Sequence, residues 1–241
     1  MRIHTLFSPL NVDELYFTGK TAVVIDVLRT TTVISTALLN GAKEITPVNS
    51  IEFAMKISGG GHVLLGGERN TKMIDGFNLG NSPLEYTSEN VDGKSIILFT
   101  TNGTGSIVRT KFADDTFIGC FNNLQGLAEH LLNLNKDIEI LCSGSHGMFC
   151  LEDTVCAGKL IRKIQKLNDN IDLSDASKAS LELNTIFGKN IFEMLSETEH
   201  GKFLIENGFE DDIRYCSELD VSNLIPVFQN GVIKPFIADQ D

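Results

Sequence analysis

The stretch Ala22-Val23-Val24-Ile25-Asp26-Val27-Leu28-Arg29-Thr30-Thr31-Thr32 decides the fold. Residues 22–27 are almost wholly apolar and rich in β-branched side chains. A half-exposed strand would alternate; this run does not, so it is expected to be a strand buried on both faces. An acid sits inside it at Asp26, and an arginine and three threonines follow. Over 32–42 the period becomes helical, with Val33, Ala37 and Leu38 on one face and a stop at Asn40-Gly41.

Outward from this unit the same alternation runs to about residue 167. Strands are expected over 43–48, 62–66, 95–100, 116–120 and 138–142. Helices are expected over 50–58, 104–112, 124–134 and 152–167. Ser50 is a natural N-cap, and Gly59-Gly60-Gly61 ends that helix. Ser82-Pro83 reads as a cap followed by proline at the first helical position. The order implies an α/β fold, α/β/α in layers, with a mostly parallel or mixed sheet and right-handed crossovers. Ligands bind such sheets beyond the carboxyl ends of the strands. Residues 168–181 are polar, and 179–208 suggest two or three short helices. Over 226–236 a pair of short strands is expected around Gln229-Asn230-Gly231. No repeat or low-complexity linker divides the chain. A single domain over 1–241 is expected, with 168–241 its more helical part.

The 241 residues suffice for a large core. With 32 acidic against 20 basic residues the formal net charge is -12. That balance argues against a nucleic-acid partner, and no basic amphipathic stretch argues for a membrane surface. No apolar run is long enough to span a membrane, and the N-terminus has no signal-peptide core. Five cysteines are an odd number in a chain without an export signal, which fits reduced thiols and a cytoplasmic location. An anionic ligand would need concentrated local cations against the global field. A homo-oligomer is compatible with the sequence.

Four polar clusters fall at predicted strand ends. In the first, the start of a helix favours an anion and Arg29 can hold a phosphate bidentately. Asp26 is a candidate metal ligand or nucleophile, with Thr30 and Thr31 beside it; the plainer alternative is a helix cap. The second is Gly66-Gly67-Glu68-Arg69-Asn70 with Lys72, leading to Gly76-Phe77-Asn78-Leu79-Gly80-Asn81-Ser82-Pro83. Its glycines let backbone approach a ligand closely. Glu68 is a candidate metal ligand, and Arg69, Lys72 and Ser82 are candidate anion contacts, against an exposed loop with an incidental charge pair. The third, Thr100-Thr101-Asn102-Gly103-Thr104, can nest a phosphate on its N–H groups. The fourth is Cys142-Ser143-Gly144-Ser145-His146-Gly147, then Glu152-Asp153. Asp153 is there a metal-ligand candidate facing Asp26, against a simple partner for the helix dipole.

Several familiar chemistries do not fit. Cys142, His146, Cys150 and Cys156 match no common zinc spacing. Cys156 and Arg162 have a phosphatase-like spacing but lie in a helical stretch, which cannot wrap a phosphate. Asp26 lacks the second aspartate of haloacid dehalogenase phosphatases, because position 28 is leucine. Gly93-Lys94-Ser95 precedes its strand and is not a Walker A loop. His146 lies in Ser-His-Gly, unlike a histidine-phosphatase nucleophile, and His4, His62, His130 and His200 have no evident partners.

Taken in order, these clusters resemble the 2-phosphosulfolactate phosphatase family. The resemblance rests on residues 24–32, Gly67-Glu68-Arg69, residues 76–83, Thr100-Thr101-Asn102-Gly103-Thr104, and Glu152-Asp153 with Ala157-Gly158. It covers 1–165 well and the C-terminus more weakly. One departure is Asn78, where the family pattern has aspartate. The resemblance implies a three-layer α/β/α fold and Mg²⁺-dependent hydrolysis of 2-phospho-3-sulfolactate to 3-sulfolactate, a step toward coenzyme M. It implies catalytic roles for Asp26, Arg29, Glu68 and Arg69, and Mg²⁺ on Asp26, Glu68 and Asp153. Thr30, Thr31, Lys72, Ser82, Thr101, Asn102, Gly103, Thr104, Ser143 and Gly144 would contact the substrate. Catalysis would come from positioning, charge neutralisation and a metal-activated water, with attack by Asp26 as the runner-up. The alternatives are a phosphatase of another small anionic ester and a non-catalytic anion-binding protein.

Overall fold

The computed structural model describes residues 1–59 and 63–236. The helix stop expected at Gly60 and Gly61 and the strand start at His62 lie outside the described residues. In chain order the strands are β1 (Arg2–Leu6), β2 (Thr21–Ile25), β3 (Glu44–Val48), β4 (Val63–Arg69), β5 (Lys72–Met73), β6 (Ser95–Phe99), β7 (Asp115–Gly119), β8 (Ile138–Cys142), β9 (Asp172–Leu173), β10 (Pro226–Gln229) and β11 (Val232–Pro235). The helices are α1 (Thr30–Leu39), α2 (Ile51–Ile57), α3 (Ser88–Val91), α4 (Gly103–Arg109), α5 (Leu124–Leu134), α6 (Leu151–Leu167), α7 (Asp175–Phe187), α8 (Ile191–Glu197), α9 (Glu199–Glu206) and α10 (Glu210–Cys216).

The strands form one sheet in the order β5-β4-β6-β3-β11-β10-β7-β2-β8-β1-β9. As the apolar run requires, β2 is buried throughout and pairs in parallel with β7 and β8. Its side chains alternate between two cores. Val23 and Ile25 join the core built with α5 and α6, while Val24 joins the one built with α1. That alternation makes three layers, and each buried aliphatic side chain contributes roughly 1.5–3 kcal/mol of transfer free energy.

Two parallel groups, β4-β6-β3 and β7-β2-β8-β1, are joined by the C-terminal hairpin. Strand β10 pairs antiparallel with β7 through Val227–Phe117 and Phe228–Thr116, and β11 pairs antiparallel with β3 through Ile233–Ile45. The sheet is therefore mixed, and the last two strands, β10 and β11, lie mid-sheet. The expected turn at Asn230-Gly231 is present, both residues with positive φ.

Some elements differ from expectation. The N-terminal segment is strand β1, parallel to β8; with Ile3 and Thr5 its only fully buried residues, it carries little apolar signal. Helix α1 begins at Thr30 rather than 32, because the hydroxyls of Thr31 and Thr32 bond back to Asp26 O and Val27 O at 2.7 and 3.0 Å. After Ser82 the chain makes a short 3-10 turn, Pro83–Glu85. Helix α10 lies beyond the region expected to be helical.

Candidate active site

Loops from β2, β4, β6 and β8 meet around a cavity of about 180 Å³ at the carboxyl ends of these strands. Asp26, Leu28, Arg29 and Thr30 line it from β2, and Glu68, Asn70 and Thr71 from β4. Thr101 and Asn102 follow β6, Ser145 and His146 follow β8, and Asn81, His200 and Phe203 complete the wall. Strands β2 and β6 belong to different parallel groups. The Thr30 hydroxyl nevertheless donates to Thr100 Oγ1 at 3.1 Å. At Gly103 a Cβ would collide with Asp26 Oδ2 and Thr30, so glycine lets α4 close on α1. Asn102 Oδ1 accepts the His146 N–H at 3.1 Å, tying the β6 and β8 loops together.

Asp26 is 6% exposed, and its Oδ1 accepts the Thr30 N–H at 3.3 Å. Burial pushes its carboxyl up to about 6; Thr30 opposes the rise, Glu68 adds to it, and Arg29 opposes it. Glu68 is buried and bridges two loops: Oε1 accepts from Thr101 N–H and Oε2 from Thr71 N–H, each at 2.8 Å. Gly67 precedes it with φ +137°, where a Cβ would strike Phe99 O.

Arg29 is 2% exposed. Its Nη1 donates to Asp212 Oδ2 at 2.5 Å and its Nη2 to Thr71 O at 3.3 Å. The guanidinium carbon lies 4.3 Å from the centre of the Phe209 ring. Ser82 donates its hydroxyl to Asp212 Oδ1 at 2.6 Å. The Leu28–Arg29 peptide is cis.

Other predicted residues sit elsewhere. Asp153 does not line the cavity. Its Oδ1 accepts from Val27 N–H at 2.9 Å and its Oδ2 from Gly144 N–H at 3.0 Å, so it braces the ends of β2 and β8. Burial pushes its carboxyl well up, and Asp26 and Glu152 add to that. Glu152, pushed up to about 7 mainly by burial, lines a neighbouring cavity with Glu197 and Glu199. Among the described residues no three His, Cys, Asp or Glu side chains are grouped to hold a metal. The expected set of Asp26, Glu68 and Asp153 is thus not assembled as three ligands.

Arg69 and Lys72 are exposed on the β4–β5 hairpin, outside the cavity. Thr31 and Thr104 serve the backbone, Thr104 Oγ1 accepting from Thr100 N–H at 3.0 Å. Ser143 is buried outside the cavity with its hydroxyl unpartnered. Asn78 is also outside, and its Oδ1 accepts the Leu65 N–H at 2.8 Å. An aspartate could accept that bond equally, so this departure leaves the cavity unchanged.

Sequence reasoning missed Asn81, Asp212, His200 and Phe203 and set His146 aside. Asn81 is buried, with Oδ1 unpartnered at the cavity wall; its Gly-Asn-Ser-Pro loop was the available signal. His200 carried no motif. Burial, then Arg29, hold its imidazole below the ordinary value. The five cysteines are free and buried. Burial raises the thiols of Cys142, Cys150 and Cys156 far above the usual range, which leaves no ready thiolate. Cys156 and Arg162 both lie in α6, as expected.

A family model described as 2-phosphosulpholactate phosphatase matches residues 7–231. A Caldanaerobacter subterraneus protein named a probable 2-phosphosulfolactate phosphatase is 40% identical over 218 residues, covering 89% of this chain and 90% of its own. One of the same name from Clostridium perfringens is 40% identical over 239 residues, 97% of this chain and 96% of its own. A third, from Clostridium tetani, is 39% identical over 236 residues, 97% of this chain and 100% of its own.

Proposed function

The chain belongs to the 2-phosphosulfolactate phosphatase family and is a phosphatase, and from that premise we propose that it hydrolyses 2-phospho-3-sulfolactate with Mg²⁺. Water adds to phosphorus, and the ester P–O bond breaks. Its electron pair leaves with the C2 oxygen, which takes up a proton to give 3-sulfolactate beside inorganic phosphate.

One observation supports the metal. Among the described residues five carboxylates are buried (Asp26, Glu68, Glu152, Asp153 and Asp212), against one buried Lys or Arg side chain, Arg29. Burial raises Asp26, Glu152 and Asp153 toward their protonated forms, and a bound cation would let these acids ionise by taking the place of those protons. The donors at the cavity are hard: carboxylate oxygens of Asp26 and Glu68, and the unpartnered Asn81 Oδ1. Such a set fits Mg²⁺, which takes one or two carboxylates and keeps waters. Asp26 and Glu68 would hold it, with Asp153 behind as a brace. When bound, Mg²⁺ supplies positive charge against the phosphoryl oxygens and toward the attacking water.

The chain's own residues do the rest. Arg29, 2% exposed at the cavity wall, presents its remaining N–H groups to a phosphoryl oxygen. His200, held neutral by burial at pH 7, accepts a proton from the attacking water. The free, buried thiols favour a reducing, cytoplasmic setting. No helix among the described residues is long and apolar enough to cross a membrane.

The test is phosphate release from 2-phospho-3-sulfolactate, with Mg²⁺ and with EDTA. We expect turnover with the metal and loss of at least 100-fold with the chelator. Rates equal to a protein-free blank would reject the substrate; rates indifferent to EDTA would reject the metal.

A further inference from the structure

Asp212 lies 183 residues from Arg29 in sequence, on a helix that reaches no cavity-lining position of its own. Its carboxylate is nevertheless fully engaged beside the cavity. One oxygen accepts from Arg29 Nη1 and the other from the Ser82 hydroxyl. Both members of the ion pair are buried, with side chains 1% and 3% exposed. Phe209, just before the same helix, covers a face of the guanidinium. Three contacts therefore fix the fork: Asp212 at one amine, Thr71 O at the other, and the ring across its plane.

A buried ion pair is weak evidence for stability, because desolvating two charges costs about as much as their attraction returns. Its consequences for a ligand are more definite. A carboxylate at 2.5 Å fixes the direction of the remaining N–H groups and offsets part of the charge they present to an anion. A phosphatase must bind a phosphoryl group and also release phosphate. A bare buried arginine would hold the product tightly.

We propose that Asp212 is a positioning residue that sets both the orientation and the effective charge of Arg29, so that the site orders the phosphoryl group without trapping inorganic phosphate. This rests on the cavity being the phosphate site. Asp212 touches no substrate atom and acts through Arg29. The α9–α10 segment thereby completes a site built otherwise from the carboxyl ends of the sheet.

The experiment compares wild type, Asp212→Asn and Asp212→Glu in the Mg²⁺-loaded enzyme, with kcat, KM and the inhibition constant of inorganic phosphate measured for each. In Asp212→Asn the offsetting charge goes and the fork loosens. We expect kcat to fall about 100-fold and phosphate to bind about tenfold tighter. In Asp212→Glu the charge stays but the fork shifts by a methylene, so kcat falls while the phosphate constant stays within about twofold. A brace with no role beyond folding would lower the melting temperature and leave both constants of the folded fraction unchanged. That result, or phosphate binding more weakly in Asp212→Asn, would overturn the proposal. Should Asp212→Asn fail to fold, wild-type kcat in Asp212→Glu would overturn it alone. Wild type without turnover, or insensitive to phosphate, would instead reject the phosphate-site reading.

Discussion

At the end of β2, Asp26 is followed three residues later by Arg29; at the end of β4, Glu68 is followed at once by Arg69. Both acids are buried at the cavity, and both arginines were candidates to hold an anion. The arginines part ways. Arg29 lies under α10, paired with Asp212 and covered by Phe209. Arg69 is exposed on a hairpin whose second strand, β5, ends the sheet. Similar local chemistry thus yields an interior cation in one place and a solvated one in the other. What separates them is a sequence-distant element: α10 packs over the β2 end, whereas Arg69 at the β4 end is left exposed. A solvated arginine is screened and entropically free; a buried, braced one is already oriented when the ligand arrives.

The sharpest way to break this contrast is to remove the acid of one end and the exposed cation of the other. Asp26→Asn should lower turnover on 2-phospho-3-sulfolactate by at least about 1000-fold, while Arg69→Ala should stay within about twofold of wild type. Steady-state phosphate release checks both. A large loss at Arg69 with a small one at Asp26 would reverse the assignment of the two ends.

A smaller effect concerns stability. Burial raises Asp26 to about 6 from an ordinary 3.8, and Glu152 to about 7 from 4.5. A raised acid binds its proton more tightly folded than unfolded. It therefore contributes stability fully below its ordinary value and loses that contribution as pH rises through about 6 and 7. Metal-free protein should melt higher at pH 5 than at pH 8. Asp26→Asn should raise the pH 8 melting temperature by roughly 6–12 °C, the equivalent of ~3 kcal/mol. Differential scanning fluorimetry in EDTA reads it. Equal melting of wild type and Asp26→Asn at pH 8 would mean that the β2 acid carries no such penalty.

Local signals carried far in this chain. The unbroken apolar run of β2 implied burial on both faces, and the neighbouring strands and two cores supply it. Asp26, Arg29, Thr30, Glu68, Thr101 and Asn102 could be placed at the cavity because each follows a strand with a clear pattern. Contacts made by tertiary packing were not legible. Asp212, His200 and Phe203 sit on short helices of mixed composition, where one acid or histidine looks like any other surface group. Lys72 and Arg69 were legible as cations, but their side-chain direction depends on the β4–β5 hairpin, too short to show in sequence. Asp153 could be marked as a candidate metal ligand but not as a brace, because its partners are the backbone N–H groups of Val27 and Gly144.

The account's central claim is that the phosphoryl group is held at the β2 end. The most direct test is the inhibition constant of inorganic phosphate, measured on Arg29→Lys beside Arg69→Ala in the Mg²⁺-loaded enzyme. Lysine keeps the charge opposite Asp212 but loses the planar fork, so phosphate should bind at least about tenfold more weakly. Arg69→Ala should leave the constant within about twofold. Equal weakening in the two variants, or weakening at Arg69 alone, would contradict the account.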